Sequence, residues 1–367
     1  MPLKDRLSGL VPRLSHGSGV GLSALLSGFP LGKRATAVGL DIGSRHLKVA
    51  VLAATERGIV IEQVAERALP PAMVSGTTIL DPEGVTEEVV RLFEEMNIRR
   101  PRVTTMVGGN DVFVRRVAMQ RMGVQEAIRQ LPQNQSLRLP IDPAQNKLEL
   151  VILDPQADTP TMQTLVVAAR KESISIRQRI ILEARAALHA VDVDAFALFN
   201  VFEHCHADLL KERATLVEIG YEKSIIVIVD RGLLSVARHA DLGVSHLIEQ
   251  LSSSNMLPNE AEHILRSSNP PAIYSDAFRV WGGRLLDEVR RSMSGFRNEG
   301  NIGPIYISGG GARIDGLAAF LQDRIDTPVS VFDPFTSMTV GTNVSLRGNR
   351  DGATYALAVG LALRQLI

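Results

Sequence analysis

The chain has 367 residues, 45% hydrophobic and 22% charged, more apolar mass than one core usually serves, so two lobes are expected. Its 40 Lys and Arg balance 40 Asp and Glu, which argues against the basic excess of a bulk nucleic-acid binder. The single cysteine, Cys205, excludes an internal disulfide and reads as a chain of a reducing compartment.

Residues 1–36 read as a flexible basic tail. Lys4, Arg6, Arg13, Lys33 and Arg34 face one acid, Asp5, with serine and glycine between them. Such a segment has the composition of a disordered leader and can touch anionic lipid electrostatically. Residues 14–32 carry too much glycine and serine for a membrane span. Gly28 to Arg34 imitates a P-loop, but it is one residue short between its glycines and lacks the hydroxyl residue after Lys33.

Order is expected from Thr36. Residues 37–40, 47–54 and 58–68 read as three strands joined by short turns, an antiparallel meander. Residues 86–96 read as a helix, with Val89, Val90, Phe93 and Met96 at helical spacing. A strand over 102–107 ends in Gly108-Gly109-Asn110-Asp111. Strands over 148–153 and 162–168 flank a polar, proline-containing loop. A helix is expected over 173–190, with Ile176, Ile180, Ala184, Ala187 and Leu188 on one side, and 192–203 as a strand end running into a helix.

The opening pattern then returns. Leu216-Val217-Glu218-Ile219-Gly220, a turn and the apolar run 225–229 align with the first hairpin, Asp41 falling on Glu218 and Gly43 on Gly220. Two similar lobes are therefore expected. Helices over 259–266 and 275–297 follow. A strand over 304–308 enters Gly309-Gly310-Gly311, and helices are expected over 314–324 and 354–366.

Three turns carry candidate chemistry. Asp41 to Lys48 and Glu218 to Lys223 each pair a carboxylate with a glycine at a hairpin tip. The glycine would let backbone N–H groups approach a phosphate, and the carboxylate can hold a hydrated Mg²⁺. The third, Gly309 to Arg313, lies between a strand and a helix, where bare glycines would let a base or ribose lie on the backbone. Each alone also suits an ordinary turn. The run His204-Cys205-His206 is not a metal site in this reading, because adjacent residues do not converge on one ion.

The order of these turns resembles the phosphate-1, phosphate-2 and adenosine pattern of the actin-like superfamily. Within it the chain resembles the PilM family of type IV pilus assembly proteins over residues 37–367. The resemblance rests on Gly39-Leu40-Asp41-Ile42-Gly43-Ser44 with Leu47-Lys48, on Val166 to Glu172, and on Val191 to Leu198. Gly309-Gly310-Gly311-Ala312 with Gly316-Leu317, Pro328-Val329 to Phe335, and Gly360 to Arg364 complete it.

It implies an α/β, actin/Hsp70/sugar-kinase-like fold of two RNase H-like lobes. Lobe I would span 37–213, with an inserted FtsA/PilM-type extra subdomain at about 115–170. Lobe II would span 214–345, with a helical subdomain at about 245–300, and 346–367 would return to lobe I as a C-terminal helix. It also implies ATP or ADP with Mg²⁺ in the cleft, held through Asp41, Gly43, Ser44, Arg45, Lys48, Glu218, Gly220, Tyr221, Glu262, Arg266, Gly309, Gly310, Gly311 and Arg313, with Asp41 and Glu218 near the metal through water. The implied role is a cytoplasmic scaffold, peripheral to the inner membrane, that docks the N-terminal peptide of a PilN-like protein. Its groove would lie beside the extra subdomain, with other pilus components and self-association as further contacts.

Departures from the family pattern point to weak or absent hydrolysis. Glu218 replaces the usual aspartate, and Tyr221 and Glu222 put bulk and charge where a triphosphate would sit, which Lys223 partly offsets. Arg45 either pairs a phosphate or is a solvated turn residue. Leu265 stands where the family carries a lysine near the ribose, beside Arg266. An FtsA-like filament protein is the nearer alternative, against which stands the chain's stop at Ile367 after its last apolar helix. A small-molecule kinase of the same superfamily is the other. It lacks a clear aspartate base, since Asp111 and Asp241 read as turn residues.

Overall fold

The computed structural model describes residues 35–56, 58–133, 142–155, 157–252, 265, 272–294, 303–342, 344 and 352–367. The basic segment through Arg34 and, apart from Leu265, the helix expected over 259–266 lie outside them.

Alternating and continuous apolar runs make the meander β1 (Ala35–Ile42), β2 (His46–Thr55) and β3 (Gly58–Ala68), paired antiparallel in sequence order. A ribbon, β4 (Val74–Ser75) and β5 (Thr78–Ile79), leads into helix α1 (Pro82–Glu95). The Asp81 carboxylate accepts from the Gly84 N–H at 3.0 Å and Pro82 opens the helix, so the start is earlier than the apolar spacing alone suggests. β6 (Arg102–Val107) joins β1 in parallel.

β7 (Val112–Gln120), α2 (Val124–Gln130), β8 (Asn146–Ile152) and β9 (Thr161–Arg170) form a separate three-stranded sheet, ordered β7-β9-β8, with its own small core. Helix α3 (Lys171–Glu183) follows. It stops short of the expected residue 190: Arg185 takes φ +57°, left-handed backbone that no helix continues through. Ala187 and Leu188 instead open strand β10 (Ala187–Val193), parallel to β6. Helix α4 (Asp194–Cys205) is buried continuously from Asp194 to Phe202.

The second half repeats the order. β11 (Arg213–Ile219), β12 (Ser224–Asp230) and β13 (Leu233–Ala240) form another antiparallel meander. α5 (Val244–Ser252) and α6 (Ala272–Met293) follow, then β14 (Ile305–Ser308), α7 (Leu317–Gln322) and β15 (Val329–Val331). A 3₁₀ turn over Gly310–Arg313 and the left-handed Gly316 delay α7, so the helix expected over 314–324 is shorter. α8 (Pro334–Ser337) and β16 (Thr339–Val340) lead to α9 (Ala356–Leu363), itself preceded by a 3₁₀ turn over Gly352–Tyr355.

The two main sheets are ordered β10-β6-β1-β2-β3-β16 and β13-β12-β11-β14-β15. In each, the first strand of the meander is flanked on its free side by two parallel strands. Asp41 and Glu218 therefore occupy equivalent places at the ends of equivalent strands.

α4 and α9 form much of the core against which both sheets pack. Their approach depends on missing side chains. A Cβ at Gly39 would strike the Ala358 carbonyl of α9, and one at Gly360 would strike the Ala197 carbonyl of α4. Gly360→Ala is expected to destabilise the protein by about 2 kcal/mol or more, as overpacking does. Gly283→Ala, with open space at its Cβ on α6, should stabilise it by about 0.5–1 kcal/mol. Urea unfolding of both variants checks the contrast.

Candidate functional site

The β1–β2 and β11–β12 hairpins meet at a cavity of about 400 Å³ lined from both halves of the chain. In the first, Asp41 stands opposite Lys48 across the ladder, and the Lys48 ammonium lies 3.8 Å from its carboxylate. In the second, Glu218 stands opposite Ile225. The pseudo-symmetry breaks at this position, because the second carboxylate has no cation across its own hairpin. Both are nearly out of water, Asp41 at 3% and Glu218 at 6% exposed.

The consequence is electrostatic. Burial pushes the Glu218 carboxyl up to about 8. Lys48 and His239 pull it down, while Asp41 and Asp194 push it further up. Asp41 is also raised, by burial first, with Lys48 opposing and Asp194 reinforcing. Glu218 is therefore largely protonated at neutral pH in the free cleft.

Asp194, at the first position of α4, closes the third side. Its carboxylate takes the space a Cβ at Gly108 would fill, accepts from the Ala195 N–H at 2.7 Å, and lies 2.8 Å from His239 Nε2 on β13. Burial depresses the His239 imidazolium, but the adjacent Asp194 more than offsets this, so its pKa is raised. This contact joins the two halves of the chain.

Two further contacts cross the cleft. The Gly76 N–H donates to the Glu222 carboxylate at 2.6 Å, with the Lys223 stem against Gly76. The Arg45 guanidinium lies 5.7 Å from the centre of the Tyr221 ring. Lys223 pairs at 3.0 Å with the exposed Asp241. Behind the wall, buried Arg177 donates to the Thr77 carbonyl at 2.8 Å, and Thr77 Oγ1 donates to the Gly108 carbonyl at 3.0 Å. Burial lowers Arg177 to about 10, with Asp111 and Asp194 opposing.

The family model for the type IV pilus assembly protein PilM matches residues 39–366. The chain belongs to that family. A solved PilM–PilN type IV pilus biogenesis complex matches at TM-score 0.80 and 24% identity, over 91% of this chain and 100% of that one. The ethanolamine utilization protein EutJ from Carboxydothermus hydrogenoformans matches at TM-score 0.53 and 14% identity, over 91% of each chain. MreB 5 of Spiroplasma citri bound to AMPPNP matches at TM-score 0.52 and 11% identity, over 91% of this chain and 96% of that one. These likenesses show the fold, the two-lobed actin-like arrangement expected from the three turns.

In this PilM-family chain the cavity gathers Asp41, Gly43, Ser44, Arg45, Lys48, Glu218, Gly220, Tyr221, Gly310 and Arg313. Glu262 and Arg266 fall outside the described residues, although Leu265 lines the cavity. The hairpin glycines also close their own turns. The Gly43 N–H donates to the His46 carbonyl at 3.1 Å and the Gly220 N–H to the Lys223 carbonyl at 2.9 Å, so both are used within their turns. A Cβ would crowd those same carbonyls, at 3.1 and 2.7 Å. In the glycine run only Gly310 has open space. A Cβ at Gly309, whose φ is +83°, would strike the Glu218 carboxylate, and one at Gly311 would strike Ile219. Gly309 and Gly311 thus seat the turn against β11.

Sequence reasoning missed Asp194, His239 and the Gly76-Thr77 turn as part of the site. Asp194 carried a usable signal, an acid at a strand-to-helix junction. His239 carried none.

The donor set fits a cation held mainly through water. Among the described residues no three His, Cys, Asp or Glu side chains converge to cage a metal, yet three buried carboxylates face one cleft. The raised Glu218 pKa sets a sign. The folded state holds this proton between about pH 4.5 and 8 and the unfolded chain does not, so its contribution to stability is lost as pH rises across that window. Glu218→Gln should match the wild type near pH 5 and exceed its stability by about 2 kcal/mol or more near pH 8.5, read by urea unfolding at the two values.

Proposed function

We propose that this PilM-family chain is a cytoplasmic scaffold of a type IV pilus or related assembly machine, peripheral to the inner membrane. It docks the N-terminal segment of a PilN-like membrane protein and holds an adenine nucleotide in the cleft. The observation that carries the docking role is the family match across residues 39–366. The likeness to a PilM solved with PilN supports the same reading. The docking groove lies beside the β7-β9-β8 sheet. Among the described residues no helix is long and apolar enough to cross a membrane.

The nucleotide reading rests on the cleft. Asp41 would hold a hydrated Mg²⁺ ion through water, Lys48 would meet phosphate oxygens, and Gly310 with Arg313 would flank the nucleoside. The Asp41–Lys48 pairing at 3.8 Å and the shared cavity support these roles. Weak or absent hydrolysis follows in this reading from Glu222, whose carboxylate sits on the Gly76 N–H where phosphates would approach.

Titration calorimetry with MgATP is expected to give binding that Asp41→Ala weakens about ten-fold or more, by removing a charge-assisted contact. Glu222→Ser is expected to strengthen it about five-fold, by removing like charge from the phosphate path. Phosphate release at about 1 s⁻¹ or faster, the range of working enzymes, would refute the scaffold reading. A PilN-like N-terminal peptide should bind the full chain in the same instrument, and no heat at saturating peptide would remove the docking role.

A further inference from the structure

We propose that the end of the lobe I sheet opposite the cleft is a docking face for an anionic bilayer, built from Arg99, Arg100, Arg102, Arg179 and Arg185 around the exposed Leu182. The strand directions fix its place. β1, β6 and β10 run parallel, with Val38 beside Val103 and Arg102 beside Ala187. Their C-terminal ends lead to Asp41, Gly108 and Asp194 at the cleft, so their starts form the far edge. There the Ala187 N–H donates to the Pro101 carbonyl at 2.8 Å. Met96, Ile98, Ala184 and Ala186 share one core cluster, which holds the 97–101 loop against the 184–186 turn.

All five arginines are exposed, and none pairs with a carboxylate among the described residues. Arg100 and Arg185 take φ of +48° and +57°, where glycine or asparagine costs least, so local backbone gives no reason for arginine. Arg231, also left-handed, is tied to Asp230 at 3.4 Å, whereas these two have no such partner. His189 registers the field: it is pushed down to about 4, by burial first and then by Arg102 and Arg364.

Leu182, 55% exposed, sits in the last turn of α3 between Arg179 and Arg185. An exposed apolar side chain three residues from Arg179 and three from Arg185 suits the headgroup zone, with the arginines on phosphates and the leucine at the acyl boundary. Glu56, Glu94, Glu95 and Glu183 are the carboxylates of the neighbouring segments, fewer than the arginines, and Glu95 is already paired with Arg67. Overall neutrality favours a local lipid contact over a nucleic-acid groove.

The test is flotation of the full chain with phosphatidylglycerol-containing vesicles against pure phosphatidylcholine vesicles, for wild type, Arg100→Asn/Arg185→Asn and Leu182→Ser. Asparagine suits the left-handed backbone, so the double variant should keep the wild-type thermal midpoint. The wild type is expected to float with phosphatidylglycerol only, less so as salt rises. The double variant should bind about thirty-fold more weakly, at about five-fold per charge removed. Leu182→Ser should weaken binding while leaving the salt dependence. Failure of the wild type to float at low salt, equal binding to neutral vesicles, or wild-type affinity in the double variant overturns the proposal. So does a duplex DNA probe that outcompetes the vesicles.

Discussion

Three carboxylates withdrawn from water, Asp41, Asp194 and Glu218, must find positive charge or keep a proton. The cleft supplies Lys48 and His239, each serving a carboxylate of the opposite half as well as its own surroundings. Lys48 sits on lobe I and moderates Glu218 of lobe II. His239 sits on lobe II and pairs with Asp194 of lobe I. Neither half can settle its own charges alone, so bringing the halves together is part of making each carboxylate tolerable. Glu218 is left short and is pushed toward keeping its proton, which an added cation would have to displace.

The same cleft shows how a duplicated frame diverges. Strand order and hairpin register are shared, and the Gly43 and Gly220 turns close with the same hydrogen bond. The differences lie in side chains. Ile225 stands where symmetry would place a second lysine, and Tyr221 and Glu222 reach across to Arg45 and Gly76. An incoming phosphate would meet contacts the protein already makes with itself. A ligand shifts such an arrangement only by the difference between what it gains and what it displaces.

Much of the fold was legible because its signals are local. The meanders, the repeat of Asp41-Ile42-Gly43 as Glu218-Ile219-Gly220, and the glycine run before the last helices are all short-range patterns. The hydrophobic period ran helix α3 on to residue 190, because Ala187 and Leu188 suit either element, and the left-handed Arg185 that ends the helix has no signature in arginine itself. At the site, the hairpin acids were visible. His239 was not, and Asp194 showed only as an acid at a strand-to-helix junction, since their meaning comes from facing each other across two halves more than forty residues apart in sequence. The glycines were recognised, and Gly43, Gly220 and Gly310 do line the cavity, but the close approach of Gly43 and Gly220 to the protein's own carbonyls was not visible. Whether a missing Cβ leaves room for a ligand or for the protein's own carbonyl depends on tertiary neighbours.

The place of α9 has a consequence for how the chain comes off the ribosome. Residues 356–363 fill the space over Gly39 on β1, a strand made early in the chain, and they rest on α4 through Gly360. Until the last dozen residues emerge, the first sheet has an open apolar face and α4 has no partner on one side. Closing contacts of this sequence separation are slow to form, and partly folded intermediates that await them expose sticky surface. The nascent first half should therefore depend on holding factors for longer than its own size implies, and truncation at the extreme C-terminus should damage the N-terminal lobe first.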